Sequence, residues 1–223
     1  MAILKAQVFG KSLIGAYLTA NNSYILYPPT LLKSLFIKFT KTFEEPFYPL
    51  TINNSNLLGI YTASNKHGII LPQIIRDDEL QNLKSNVDGE INIKKLKSID
   101  NAFGNLILCN DKGSIISSFL KDFRKIIEDT LNVETIIYDF AGSYLPGSIS
   151  LANNKGCVVS PLTSDDEIET ITSILKVKET DVSSINRGIQ YLSAGAIVND
   201  RSGIFGVDST GPELSRITSV LEL

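Results

Sequence analysis

Tryptophan is absent from the 223 residues, and there are only one histidine, one methionine and two cysteines. With so few His and Cys there is no ligand set for zinc, and Cys109 and Cys157 show no C-x-x-C spacing. Two unpaired thiols fit a reducing compartment better than a secreted disulfide framework. The formal net charge of −3 is wrong for a general nucleic-acid coat, although it leaves room for a local cationic patch. No apolar run nears the roughly 20 residues of a membrane helix. The N-terminal apolar stretch carries Lys5 and Lys11 and has no small-residue cleavage site after it. The expectation is a soluble cytoplasmic protein that needs no membrane, cofactor or metal. Hydrophobic residues make up 43% of the chain and charged residues 20%, enough apolar surface for a sizeable core.

What the chain has is repetition. "ILCNDKGSII" (107–116) returns as "SLANNKGCVV" (150–159), "YTASNKHGII" (61–70), "AIVNDRSGIF" (196–205) and, more loosely, "YLTANNSYIL" (17–26). The corner asparagines Asn21, Asn65, Asn110, Asn153 and Asn199 are separated by 44, 45, 43 and 46 residues. A glycine stands six positions before four of them, at Gly15, Gly59, Gly104 and Gly147, while Ser193 holds that place in the fifth unit. Periods of this length mark propellers, solenoids and arrays.

Each unit repeats one internal order. A short strand follows the glycine ("AYLTA", "IYTAS", "NLILC", "SISLA", "AIV"). An Asn corner suited to turn geometry comes next, then a second strand ("YILY", "IILP", "SIIS", "CVVS", "GIFG"). A helix follows. "SDDEIETITSIL" and "TGPELSRITSVL" open with Ser164/Glu167 and Thr210/Glu213 at capping-box spacing. "FLKDFRKIIEDTL", "DDELQNLKSNV" and "TLLKSLFIKF" supply the other three, mostly with one apolar face. A third strand closes each of the first four units ("PFYPLTI", "EINIKKL", "ETIIYDF", "KETDVSS"); the fifth has none, and "AILKAQVF" (2–9) is the spare piece.

The expected architecture is therefore α+β: a single domain of five ββαβ repeats with pseudo-five-fold symmetry, a five-bladed α/β propeller closed by the N-terminal strand. The repeats cover about 12–55, 56–101, 102–143, 144–190 and 191–223, the last completed by 1–11.

Such a ring resembles the pentein fold. "IGAYLTANNSYILYP" (14–28), "NSNLLGIYTASNKHGIILP" (54–72), "NRG" (186–188) and "AGAIVNDRSGIFGVDSTGPELSRITSVLEL" (194–223) resemble the translation initiation factor 6 family over the whole chain, in its archaeal form. The resemblance implies a monomeric ribosome anti-association factor that binds the large subunit and sterically blocks the small one. The partners it implies are ribosomal proteins near the sarcin–ricin region, chiefly of the uL14 family, with little direct RNA readout.

Some penteins are guanidino-modifying enzymes that use Cys, His and carboxylates. Here Cys109 and Cys157 fall on apolar strands and read as core residues, and His67 reads as a solvated corner residue. The late Gly-rich loop "VNDRSGIFG" has neither Cys nor His, so no catalytic residue is assigned. The third corner position carries His67, Lys112, Lys155 and Arg201. These are either ordinary exposed corner residues or a cationic rim for an anionic partner, which would make an RNA-binding module the other alternative. The five asparagines read as structural. At the opposite rim Ala16, Ile60, Asn105, Ser148, Ile149 and Ala194 are small, apolar or neutral, and are the candidate residues for large-subunit binding. The resemblance implies that many family members carry a basic residue at the position of Ile60.

Overall fold

In the computed structural model, which describes residues 2–87 and 90–223, strand β1 (Ala2–Ala6) precedes five units of similar order. Unit one contains α1 (Ile14–Tyr17), β2 (Thr19–Ala20), β3 (Ile25–Tyr27), α2 (Lys33–Thr42) and β4 (Phe47–Pro49). Unit two contains α3 (Leu58–Tyr61), β5 (Ala63–Ser64), β6 (Gly68–Pro72), α4 (Asp77–Asn86) and β7 (Asn92–Leu96). Unit three contains α5 (Phe103–Leu106), β8 (Ile107–Cys109), β9 (Gly113–Ile116), α6 (Arg124–Leu131) and β10 (Glu134–Ile137). Unit four contains β11 (Ser150–Ala152), β12 (Gly156–Val159), α7 (Asp165–Leu175) and β13 (Glu179–Val182). Unit five contains α8 (Leu192–Gly195), β14 (Ala196–Val198), β15 (Ser202–Gly206) and α9 (Gly211–Val220).

The first two strands of a unit form an antiparallel hairpin, and the third lies parallel to the second. The result is five separate three-stranded sheets, not one continuous sheet. In the fifth sheet β1 is the third strand, parallel to β15 from Ala2↔Ser202 to Ala6↔Gly206.

The asparagines give the hairpins a common geometry. Each Oδ1 accepts the backbone N–H groups two and three residues on, from Ser23 and Tyr24 at Asn21 to Arg201 and Ser202 at Asn199. All five side chains are buried, so their amide donors need partners too. Asn21, Asn65, Asn110 and Asn153 each donate to the carbonyl of the next unit's corner Asn, at 3.3, 3.0, 3.1 and 3.2 Å. Three of them donate again to the C-terminal end of the next unit's helix, at the Leu131, Leu175 and Leu221 carbonyls. Asn199 Nδ2 has no partner among the described residues. The junction from unit five to unit one therefore lacks this clamp.

Each sheet packs against the next unit's helix, so the core is divided among the junctions. Ile70 and Leu96 of unit two meet Phe103 and Ile127 of unit three. Leu26 and Leu50 meet Leu71 and Leu83, Leu108 and Ile115 meet Val159 and Ile171, and Leu151 and Val158 meet Phe205 and Ile217. Ile197 and Ile204 of unit five, with Ala6 of β1, meet Ile14, Ile25 and Phe39 of unit one. Backbone closeness at these contacts accounts for the glycine that follows the corner in units two to four. A Cβ on Gly68, Gly113 or Gly156 would lie 2.1, 1.9 or 2.0 Å from the carbonyl oxygen of Thr130, Ile174 or Val220.

Three expectations need correction. The glycines six residues before the corners do not open strands. Gly15, Gly59 and Gly104 lie inside the one-turn helices α1, α3 and α5, and Gly147 in a plain turn. The strands after them have only two or three residues. The single helix expected over 119–131 is split into a 3-10 segment, Ser118–Phe123, whose cap is Ser117 Oγ accepting the Phe119 N–H, and α6 proper. Ile149 is not a rim residue, as described below.

The capping carboxylates reach beyond their own helices. Glu213 accepts the Thr210 N–H at the start of α9 and also the N–H groups of Arg187 and Gly188 and the Ser184 hydroxyl. Glu79 accepts the N–H groups of Arg76, Asn53 and Asn54, and Glu167 those of Ser164 and Ala141. The loops so held contain left-handed residues, with φ of 51° at Asn53, 53° at Ala141 and 64° at Arg187. One carboxylate thus satisfies orphan donors at its helix start and fixes the loop that ends the preceding unit.

Candidate functional site

Ala16, Ile60, Asn105, Ser148 and Ala194 line one depression of about 460 Å³. The helical turns bring them together, because the turns approach backbone to backbone. A Cβ on Gly59 would lie 1.7 Å from the Gly15 carbonyl oxygen, and one on Gly104 would lie 1.8 Å from that of Gly59. A Cβ on Gly147 would lie 2.3 Å from the Gly104 carbonyl oxygen, and one on Gly15 would lie 1.8 Å from that of Ser193. Ser193 takes the glycine's place in unit five, where its N–H and Oγ both lie 3.3 Å from the Ser148 carbonyl. Ile149 belongs elsewhere. The chain leaves the turn at Ser148, and the next side chain points into the unit three–four core beside Leu108 and Val159.

The depression narrows into a channel of about 120 Å³ past Gly15, Gly59 and Ser193. Below it lies a cavity of about 30 Å³ under the Asn corners. A polar plug closes that end. Asp111 and Asp200 each accept both Asn22 Nδ2 and Asn154 Nδ2, at 2.7 to 3.0 Å. The depression and the corner rim therefore mark opposite ends of one axis.

The sequence reading missed much of the depression's wall. Leu13, Leu145, Ile189 and Tyr191 complete it, and Ile189 and Tyr191 are 37% and 43% exposed. Ile189 and Leu13 also border a hollow of about 410 Å³ with Lys11 and Arg187. Ile189 and Tyr191 border another of about 550 Å³ with Pro161 and Leu162. The apolar surface thus extends sideways around the loop held by Glu213. A signal was present in "NRGIQYL", where a tight turn is followed by Ile189, Tyr191 and Leu192 in a stretch too short to establish a strand or helix period.

At the corner rim the cations serve the fold's own acceptors. Lys112 Nζ donates to the Asn154 and Lys176 carbonyls at 2.7 and 3.1 Å, and Lys155 Nζ to the Glu222 carbonyl at 3.0 Å. Lys176 and Glu222 end α7 and α9, where partial negative charge collects. Arg201 pairs with the buried carboxylate of Glu45. His67, partly exposed, donates its backbone N–H to Asn65 Oδ1.

Cys109 is in part a further correction. It packs against the unit two–three core, as expected, but is only half-buried and also forms part of the channel wall, with Sγ 3.5 Å from the Ser64 carbonyl. Burial, and then the charge of Asp111, push its thiol up to about 12. Cys157 lies in the unit three–four core, where burial also raises it. His67 lines neither the channel nor the cavity, so the residues of a guanidino-modifying site are not brought together. Among the described residues no group of three or more His, Cys, Asp or Glu is placed to hold a metal ion, and no helix is long and apolar enough to cross a membrane.

These features define a class: a protein of five strand-and-helix units with a plugged polar end and a shallow apolar face at the other end of its axis. The eIF-6 family model matches residues 3–220. The chain is 37% identical over 224 residues to Translation initiation factor 6 of Methanococcus vannielii, with 99% of each chain covered. It is 37% identical over 226 residues to that of Methanocaldococcus jannaschii (99% of this chain, 98% of the relative). It is 33% identical over 220 residues to that of Pyrobaculum arsenaticum, with 98% of each covered. The chain belongs to the eIF-6 family. Among solved structures, the cyanobacterial arginine dihydrolase ArgZ matches 75% of this chain and 29% of its own length at a TM-score of 0.49 and 12% identity.

Proposed function

We propose that the protein is a ribosome anti-association factor that docks its axial depression on the large ribosomal subunit and excludes the small subunit by occupying the joining face. Family membership and the relatives' name, Translation initiation factor 6, support a role in translation initiation. The observation that carries the docking face is the convergence of Ala16, Ile60, Asn105, Ser148 and Ala194 on one depression. Small and apolar groups shed water at little cost, and Ile189 and Tyr191 add the large contact residues that interfaces favour.

The five units, with β1 in the last sheet and a core at the unit five–one junction, are read as one closed pentein-like five-bladed propeller. A closed ring loses little freedom on docking, so more of the contact energy shows as affinity. The expected partners are uL14-family ribosomal proteins near the sarcin–ricin region, met by a monomer in the cytoplasm. The interface would bury about 1,200–2,000 Å². Two alternatives are less favoured. Catalysis has Cys109 in the channel without His67, and RNA binding at the corner rim would compete with the carbonyls that already hold Lys112 and Lys155.

The test is sedimentation of the purified protein with archaeal ribosomal subunits. Co-migration with the large subunit and reduced subunit joining are expected, and Tyr191→Asp should weaken binding about tenfold or more. Migration with the small subunit, or with neither, sinks the reading.

A further inference from the structure

Helix α2 differs from the other long helices in charge. Its ten residues, KSLFIKFTKT, include three lysines and no acid. The helices α4 and α7 begin with Asp-Asp-Glu. In α6, Arg124 and Lys125 are paired with Glu128 and Asp129. Lys33, Lys38 and Lys41 are exposed, and every ion pair among the described residues lies elsewhere. Of the two acids just after the helix, Glu45 is held by Arg201, leaving only Glu44 at the C-terminal end.

At 100° per residue the three lysines and Ile37 fall within an arc of about 140°. Phe39 and Thr42 are buried on the other side. Ile37, 45% exposed, sits between Lys33 and Lys41, so the lysine stems and an apolar contact share one face. An acidic chain has thus gathered unpaired positive charge on a single lateral surface.

We infer that the outward face of α2 contacts phosphates of ribosomal RNA, a contact separate from the axial depression. The inference rests on the large-subunit reading. Lys33 to Lys41 spans about 12 Å of helix, enough to reach more than one phosphate along an RNA strand. Lysine is a flexible point charge suited to phosphate, and the face has no arginine fork or aromatic ring for reading bases. An acidic peptide would match the charge. However, the face lies on the molecule's side, where α2 packs over β1 and β15, and only a large surface reaches both it and the depression.

The experiment compares wild type with Lys33→Gln/Lys38→Gln/Lys41→Gln for binding to purified large subunits between about 50 and 200 mM salt. Each phosphate contact adds about 0.7–0.9 to the log–log salt slope. The triple variant should therefore lower the slope by about 2.1–2.7, and its disadvantage should shrink about 18- to 42-fold across that range. Urea unfolding should be nearly unchanged, because the side chains are exposed. If wild type binds and the variant has the same slope and affinity, the inference is overturned while the docking reading stands. Loss of affinity at an unchanged slope also overturns it, in favour of a protein contact. Lysine-dependent binding to phosphatidylserine–phosphatidylcholine vesicles, with subunit binding unaffected, overturns it in favour of a lipid surface. If wild type binds no large subunit, both readings fall.

Discussion

Replacing Asn110 by Ala should cost far more stability than the same change at Asn199, although the two residues share one position in the repeat. Asn110 accepts the Lys112 and Gly113 N–H groups and donates to the Asn153 and Leu175 carbonyls. Asn199 accepts the Arg201 and Ser202 N–H groups, but its Nδ2 donates to no described residue. At about 1 kcal/mol per net hydrogen bond, Asn110→Ala loses about 4 kcal/mol. Asn199→Ala loses about 2 kcal/mol, and removing a buried orphan donor returns about 1 kcal/mol or more. The cavities left behind are alike and cancel, so the gap is about 3 kcal/mol. Urea denaturation reads it as a difference in midpoint at constant m, and for a chain of this size it corresponds to about 6–12 °C in Tm. If the two variants fall within about 1 kcal/mol of each other, the donated hydrogen bonds between units contribute nothing and the clamp argument fails.

Other substitutions test neighbouring parts of the construction. Gly104→Ala places a methyl 1.8 Å from the Gly59 carbonyl oxygen and should cost at least about 3 kcal/mol. Gly211→Ala, at the start of α9 with no atom within 4 Å of its Cβ, should stabilise by about 0.4–1 kcal/mol in the same denaturation assay. Burial pushes the Glu213 carboxyl up, but N–H bonds from Thr210 and Gly188 and the hydroxyls of Ser184 and Thr210 outweigh it and hold the group at about 2 instead of 4.5. A carboxyl lowered in the fold stabilises it above its unfolded pKa, and that stability is lost as pH falls from about 4.5 through about 2. Glu213→Gln should therefore be less stable at neutral pH and show a flatter decline on acidification; an unchanged acid slope refutes the assignment. With its thiol at about 12, Cys109 should react slowly with iodoacetamide at neutral pH by mass spectrometry. Rapid labelling of the folded protein would reopen the enzymatic alternative.

Much of this organisation was legible in the chain. The Asn-to-Asn spacing, the hairpins around it, and the caps Ser164/Glu167 and Thr210/Glu213 are local patterns, and the structure holds them. The helical turns around Gly15, Gly59 and Gly104 pass for strands in the sequence, because a glycine before an apolar run looks like a turn entering a sheet. Their glycine is required by a carbonyl oxygen of the neighbouring unit, some 45 residues away in sequence for Gly59 and Gly104 and 178 residues away, at Ser193, for Gly15. The same limit hid the channel position of Cys109 and the burial of Ile149, which depend on the way a two- or three-residue strand leaves its turn.

The sequence by itself determined the number of units, their internal order and the residues repeated at each corner, because these follow from contacts within about 45 residues of chain. Only the tertiary structure decided which side chains share a surface. It set Ile189 and Tyr191 beside Ile60 and Ala16, gave Lys112 and Lys155 to helix-end carbonyls, and left Asn199 without the clamp its equivalents have. The physical reason is that packing and hydrogen-bond satisfaction are settled between units, through space, where a one-dimensional pattern carries no record of its neighbours.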